Sequence, residues 1–182
     1  MKKELNGVDM IQFVIVVELG LIMATEGAAF SKFVLLAASI EFLGACLDKE
    51  LFEQPSRSEE RFNKALNILL KGKYIKYAKA DSSIKLFSAL RCGMVHAFRP
   101  GHDLELTTRK HVSANRKHLI NTEGKVAIVL EELYKDILRP SKRLIKRFND
   151  GKLPSMKLEE KYMAVEDGFS GHTQHREIKD YK

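Results

Sequence analysis

The sequence lacks tryptophan and contains only four prolines and two cysteines among its 182 residues. The scarcity of proline suits a helical protein with few elaborate loops, because proline breaks helix interiors. Two cysteines, Cys46 and Cys92, fit neither a zinc site nor a disulfide framework. Both lie among apolar neighbours, so we predict buried, reduced thiols in a cytoplasmic protein.

The signatures of several enzyme and membrane classes are also absent. The sequence has no glycine-rich phosphate loop, no Ser-His-Asp arrangement in a recognisable context and no metal-ligand spacing, so we expect no cofactor and no metal. The first apolar segment carries Glu4, Asp9 and Glu18 and no clean cleavage site follows it, which argues against a signal peptide. No uncharged run reaches roughly 18 residues, so no membrane-spanning helix is predicted.

Composition and charge are those of one soluble domain with a polarised surface. Hydrophobic residues make up 45% and charged residues 30% of the chain, and the net charge is +7. Residues 1–48 carry three basic and six acidic side chains, whereas residues 91–147 carry thirteen basic and six acidic ones. A basic surface in the later half would attract RNA or DNA, although such residues can also merely solvate a surface.

Helical periodicity dominates the first half. Residues 8–24 are apolar almost all the way round, which predicts a helix that is buried or packs against a second copy of the chain. A second apolar helix is expected at 28–48. A third should open at the capping-box pattern of residues 56–59 and end near Gly72. The lysines around Tyr74 and Tyr77 indicate either a surface for single-stranded nucleic acid or a solvated linker with anchoring tyrosines.

A small β-element is predicted before the last helix. Residues 103–108 alternate polar and apolar side chains, and two short strand candidates, 117–121 and 125–129, flank a Thr-Glu-Gly turn. We therefore expect a mainly α protein with a small β-hairpin insertion. The histidines of this region share no metal-ligand spacing and are predicted to be surface residues: His102, His111 and His118.

The last helix is expected at 130–148, with Pro140 kinking or restarting it. It is either a nucleic-acid-binding surface or the solvated side of an amphipathic helix. Its basic side chains fall largely on one face: Lys135, Arg139, Lys142, Arg143, Lys146 and Arg147. We expect the domain to span residues 1–150, and residues 151–182 to form a polar tail that is flexible or loosely docked.

Residues able to do chemistry are concentrated in one apolar stretch, 82–100, which contains Arg91-Cys-Gly-Met-Val-His96. Its apolar residues recur at helical spacing, Ser82 or Ser83 can cap its start, and Pro100 stops the helix at or before the preceding residue. Five positions on an ideal helix correspond to roughly 140° of rotation and about 7.5 Å of rise. The two side chains should therefore not touch on a straight helix. They can line one cleft only if the helix ends near His96 or a second copy supplies the facing pair.

This stretch resembles the Arg-x4–6-His signature of the HEPN family, small helical-bundle proteins that often act as ribonucleases. The resemblance covers roughly residues 8–148. It implies an up-and-down helical bundle, a homodimer that shares its site, an RNA ligand, an antitoxin-like protein partner and a toxin or defence setting. Many active members carry a polar residue directly after the arginine, where this chain has Cys92.

The resemblance implies metal-independent cleavage of RNA, in which a 2′-hydroxyl attacks the adjacent phosphate. His96 would be the general acid or base, because its ordinary pKa of about 6.5 lies near working pH. Arg91 would be the phosphate clamp, because its planar fork pairs with phosphate oxygens and keeps its charge. The expected products are a 2′,3′-cyclic phosphate and a 5′-hydroxyl. Arg99 and the basic face of the last helix would hold the RNA backbone.

In HEPN-like bundles an acidic residue from an early helix often lies near the arginine and the histidine. Here the candidates for that residue are Glu41, Glu18 and Glu26, and the motif does not decide among them. The alternative is that Arg91 only bridges to a carboxylate such as Glu41, and that His96 only caps the helix end. The chain would then be a catalytically inactive HEPN-like dimer that binds RNA, a nucleotide or a protein partner.

Overall fold

The fold is mainly helical, with a small mixed sheet beside the helices, which confirms the predicted mainly α class. The computed structural model describes residues 3–48, 50–52, 54–112, 116–152 and 161–165. The helices are α1 (Gly7–Ala24), α2 (Ala29–Ala45), α3 (Ser58–Ala65, continued by a π-helical turn, Leu66–Leu70), α4 (a π-helical turn, Phe87–Cys92, continued by Gly93–His96) and α5 (Leu130–Asn149). A 3₁₀ segment, Gly72–Tyr77, follows α3.

The strands form two small sheets. In the first, β1 (Lys3–Asn6) pairs antiparallel with β5 (Lys161–Val165). In the second, β2 (Leu104–Thr107) lies parallel to β4 (Lys125–Val129), which also pairs antiparallel with β3 (Asn121–Thr122). The predicted hairpin is therefore present, but it is shorter than expected, and a parallel strand on its other side completes a sheet in the order β2-β4-β3.

The core lies between α1, α2, α3 and α5 and extends to the buried strand β4. α2 and α3 cross most closely at Gly44, where an added Cβ would lie 1.7 Å from the backbone oxygen of Arg61. Beside this crossing the Arg61 guanidinium is buried, and its Nε donates to Asp48 Oδ2 at 2.7 Å. Its two terminal nitrogens donate to the backbone oxygens of Leu51 and Phe52. The absence of a side chain at residue 44 thus permits the contact that fixes α3 against α2.

α1 is less completely buried than α2, because most of its residues are partly exposed and Leu21 and Ile22 are 45% and 37% exposed. Only 28% of Gly7–Ala24 is buried, although its length and composition would suffice to cross a membrane. Core helices of soluble proteins and signal sequences share that property, so it is weak evidence for a membrane span. An apolar groove of about 240 Å³ lies between α1 and α2, lined by side chains that include Val14, Ile22, Leu35 and Phe42. Of the two alternatives predicted for this helix, burial within one copy is therefore met only in part, and packing against a second copy stays a prediction.

Two helix predictions need correction at their boundaries. The motif helix starts near Phe87 rather than at Ser82, and the Ser82 hydroxyl donates to the Ile84 carbonyl instead of capping the helix. The last helix runs unbroken through the buried Pro140, so it does not restart there. Its C-terminal limit agrees with the predicted one.

The domain boundary stays a prediction. Residues 161–165 of the expected polar tail pair with β1. The rest of the expected tail beyond residue 152 lies outside the described residues, namely 153–160 and 166–182.

Candidate active site

Three side chains from two helices meet at the C-terminal end of α4. Glu41 belongs to α2, Arg91 to the π-helical turn of α4, and His96 is the last residue of α4. Leu90 and Met94, four residues apart on one face of α4, are fully buried in the core against which α2 also packs. This anchoring directs Arg91 towards the α2 side, where Glu41 receives it.

The geometry of the three groups is compact. Arg91 Nε donates to Glu41 Oε2 at 2.7 Å, and Arg91 Nη1 lies 3.1 Å from His96 Nε2. Because a guanidinium can only donate, His96 Nε2 must accept, and the ring then carries its proton on Nδ1. The side chains of Arg91 and Glu41 are 21% and 19% exposed, whereas His96 is exposed. The arrangement places an imidazole at the surface, beside a cation that a carboxylate holds in position.

The contact between Arg91 and His96 depends on where the helix stops. On a continued straight helix we expected the two side chains to stay apart, unless the helix ended near His96. It does end there, with Ala97 as the C-cap. The guanidinium sits on a long side chain that can span the separation of the two backbone positions, and no further helical turn covers the ring. The conditional expectation is therefore met within a single copy of the chain.

Cys92 and Arg99 flank the pair without joining it. Cys92 is partly buried and Arg99 is exposed in the turn after α4. Cys46 is buried as predicted, whereas Cys92 is less buried than predicted. Within the part of the chain that the structure describes, no side-chain hydrogen bond joins Cys92 or Arg99 to the pair of Arg91 and His96.

The basic side chains of α5 lie on an exposed face, and part of this face forms a groove with the 3₁₀ segment. All six α5 residues that were predicted, with Arg99, to bind nucleic acid are exposed: Lys135, Arg139, Lys142, Arg143, Lys146 and Arg147. The basic groove, of about 630 Å³, is lined by Lys71, Lys73, Arg139, Lys142 and Arg143, together with apolar residues and Asp136. Lys73 Nζ forms an ion pair with Asp136 Oδ2 at 3.0 Å. The other four basic residues make the wall of the groove predominantly positive.

A buried polar network lies beside this groove. Tyr74 Oη donates to Asp136 Oδ2 at 3.0 Å and lies 2.9 Å from His118 Nε2. The backbone N–H of Val129 donates to His118 Nδ1 at 3.0 Å, so in the neutral ring the proton resides on Nε2, facing Tyr74. The network joins the 3₁₀ segment, the sheet and α5 at one point.

Burial and hydrogen bonding set the charges of this network. Burial lowers the pKa of His118, which keeps the ring neutral, and burial raises the pKa of Tyr74. Burial also opposes ionisation of Asp136, but hydrogen bonds from His118, Lys73 and Tyr74 outweigh it and lower the pKa of Asp136 to about 2. The network thus keeps the Asp136 carboxyl group ionised at neutral pH.

The network shows that one histidine prediction is wrong, and it decides between the two interpretations of the tyrosine segment. The side chain of His118 is only 4% exposed, so the prediction of a surface histidine is wrong there, whereas His102 and His111 are exposed as expected. Tyr74 and Tyr77 are buried and hydrogen-bonded through their hydroxyls, which favours the interpretation as anchors over a stacking surface. The spacing of these residues in the sequence carries no signal that would have joined them.

No protein family, curated protein or solved structure matches the chain. Among the residues that the structure describes, no group of three or more His, Cys, Asp or Glu side chains could hold a metal ion.

Proposed function

We propose that the chain is a HEPN-like, metal-independent endoribonuclease, with His96 as the general acid or base and Arg91 as the phosphate clamp. The observation that carries the proposal is the contact between an exposed imidazole and a guanidinium held by Glu41. These are the two groups that cleavage by an internal 2′-hydroxyl requires, one to move a proton and one to stabilise charge on the phosphate oxygens.

The reaction transfers one proton at each end of the phosphodiester. A base removes the proton of the 2′-hydroxyl, its oxygen bonds to phosphorus, and the bond from phosphorus to the 5′-oxygen breaks as that oxygen takes a proton. The products are a 2′,3′-cyclic phosphate and a 5′-hydroxyl. Glu41 takes the Nε–H of Arg91 and His96 Nε2 takes one N–H of Nη1, so the second N–H of Nη1 and both of Nη2 are the donors that would bind the phosphate oxygens.

A single imidazole cannot act at both oxygens at the same moment, so a homodimer that brings a second His96 to the site is part of the proposal. The partly exposed apolar residues of α1 and the groove beside it supply a surface that a second copy would bury. The exposed basic face of α5 supports binding of the RNA backbone. A cytoplasmic location and an antitoxin-like protein partner belong to the same proposal.

The second candidate function is an inactive HEPN-like dimer that binds RNA, a nucleotide or a protein. The observation that favours it is the 2.7 Å ion pair itself, because Glu41 offsets part of the charge that Arg91 would offer to a phosphate. Cys92, beside Arg91, stands where many active HEPN proteins have a polar residue.

Cleavage of mixed cellular RNA in EDTA separates the two candidates. We expect the wild type to cut and to leave cyclic phosphate ends, while His96→Ala loses about 10²- to 10⁴-fold in rate. Arg91→Lys should also lose activity, since an ammonium lacks the two-pronged donor set. The matched control is His102→Ala, because the side chain of His102 is 93% exposed and lies outside the site. Binding of RNA without cleavage by any variant would favour the second candidate.

A further inference from the structure

The turn after α4 presents an aromatic ring to solvent beside the candidate site. Phe98 is 77% exposed and adopts a φ of 50°, a left-handed conformation that bulky side chains rarely adopt. Its position is two residues after His96, so the two Cα atoms are at most about 7 Å apart. Backbone strain of this kind persists only where the surrounding structure enforces it, and it is concentrated at functional sites.

The surrounding structure does enforce it. The backbone N–H groups of Ala97 and Arg99 both donate to the Gly93 carbonyl at 3.1 Å, and the N–H of Gly101 donates to the Ala89 carbonyl at 2.7 Å. The turn packs so closely on α4 that a Cβ at Gly93 would lie 2.6 Å from the Arg99 carbonyl oxygen, and one at Gly101 would lie 2.8 Å from the Ala89 Cβ. The turn is therefore clamped to the helix that carries Arg91 and His96, at two glycine contacts.

A second aromatic ring supports Phe98 from the other side. The rings of Phe98 and Phe30, at the start of α2, are stacked with centroids 5.9 Å apart and planes within 7° of parallel. Because the two near-parallel rings are offset and Phe98 is largely exposed, most of the Phe98 ring surface is open to solvent. The result is an exposed aromatic ring that a second ring supports, two residues after His96 in the chain.

We propose that Phe98, supported by Phe30, stacks on the nucleobase next to the phosphate held by Arg91, and thereby selects unpaired RNA. The proposal rests on the proposed function, since it takes the Arg91–His96 pair as the place where the phosphate binds. Every base has a π-face, so stacking on an aromatic ring holds single-stranded nucleic acid with little sequence preference. A base inside a duplex is already stacked on its neighbours and cannot offer its face, so the surface favours loops and single strands.

The test measures the affinity of the full chain for a fluorescent 12-nucleotide single-stranded RNA with 2′-O-methyl groups, which cannot be cleaved, and for the matching duplex. We expect Phe98→Ala to bind the single strand about 5- to 150-fold more weakly and the duplex unchanged, and Phe98→Tyr to retain wild-type affinity. Ile120→Ala, which removes another exposed apolar side chain, is the control and should bind like the wild type.

Three results would overturn the proposal: absence of single-strand binding by the wild type, unchanged binding by Phe98→Ala, or an equal loss on the duplex. Light scattering on the same samples measures the molar mass and thereby separates stacking on RNA from self-association. A Phe98→Ala variant that becomes monomeric without losing RNA affinity would assign Phe98 to a subunit contact instead. Binding of the uncleavable RNA requires no turnover, so it separates this proposal from the proposed function: failure of the cleavage test leaves the stacking result readable.

Discussion

Replacing Gly44 by alanine should separate two helices that the structure brings into backbone contact. The new Cβ would lie 1.7 Å from the Arg61 backbone oxygen and 2.4 Å from the carbonyl carbon, distances that no real Cβ shows. Neither atom belongs to a flexible side chain, so α2 and α3 must move apart by more than an ångström. That movement would loosen the buried pair of Arg61 and Asp48, whose side chains are only 7% and 2% exposed.

The expected cost follows from opposing contributions. Overpacking a core typically costs about 1–3 kcal/mol. Breaking a buried ion pair outright costs about 3–5 kcal/mol, of which a loosened pair loses part. Alanine regains about 1 kcal/mol over glycine as a helix former. We expect a net loss of about 3 kcal/mol in the free energy of unfolding, which lowers the melting temperature of a chain of this size by about 6–12 °C.

Thermal and urea unfolding followed by circular dichroism at 222 nm would measure the effect. The control is Gly20→Ala, because its Cβ would lie 3.1 Å from the Tyr134 hydroxyl, the far end of a side chain that can move. We expect that variant to lie within about 1 kcal/mol of the wild type or to gain slightly from helix propensity. If Gly44→Ala and Gly20→Ala melted alike, the close crossing of α2 and α3 would be wrong, and with it the position given to Glu41.

Three further predictions concern the buried network and the basic groove. Tyr74→Phe should lose about 1.5–3 kcal/mol of stability in urea unfolding, because it removes a hydroxyl that donates to the Asp136 carboxylate; a change below about 0.5 kcal/mol would contradict the network. The pKa of Asp136 falls from its ordinary 3.8 to about 2 on folding, so its ionisation stabilises the fold above about pH 4 and that contribution is lost as pH falls towards 2. Asp136→Asn should flatten the pH dependence of the free energy of unfolding between about pH 4 and pH 2. The lowered pKa of His118 acts separately and makes the wild type less stable as pH falls below 6.5. An unaltered stability profile at acid pH in Asp136→Asn would count against this assignment. Lys142→Glu should weaken RNA binding and reduce the slope of log affinity against log salt by about one or more, whereas Lys125→Glu, on β4, should leave the slope unchanged; equal slopes would show that the groove does not hold RNA.

The elements that the sequence predicts well are those whose burial repeats at a regular spacing. The helices over residues 8–24, 28–48 and 130–148 were predicted in kind, and so was a hairpin, expected at 117–129 and found at 121–129, since each element buries apolar residues at a regular spacing. Their ends were less predictable because caps depend on local geometry. The capping box expected at residues 56–59 is absent, while an unpredicted one at Asn6 and Asp9 opens α1.

Contacts between distant positions were predictable only as sets of candidates. Glu41 was named with Glu18 and Glu26 as a possible partner of Arg91, and the sequence did not decide among the three, whereas the structure places Glu41 there. His118 was misplaced because its environment is made by residues 44 and 18 positions away, Tyr74 and Asp136, which no local pattern connects to it. The parallel pairing of β2 with β4 likewise depends on a connection through β3 that spacing alone does not predict.

Two surfaces of the molecule, the apolar groove beside α1 and the basic groove of α5, have opposite expected responses to dissolved salt. In the proposed dimer, apolar contact along the groove beside α1 is not weakened by ions, and screening of the +7 net charge reduces the repulsion between copies. In the proposed complex with RNA, attachment to the basic groove weakens as salt rises, because counterions are then released less favourably. Under the proposed function, rising ionic strength would therefore favour association of the chain with itself over association with nucleic acid.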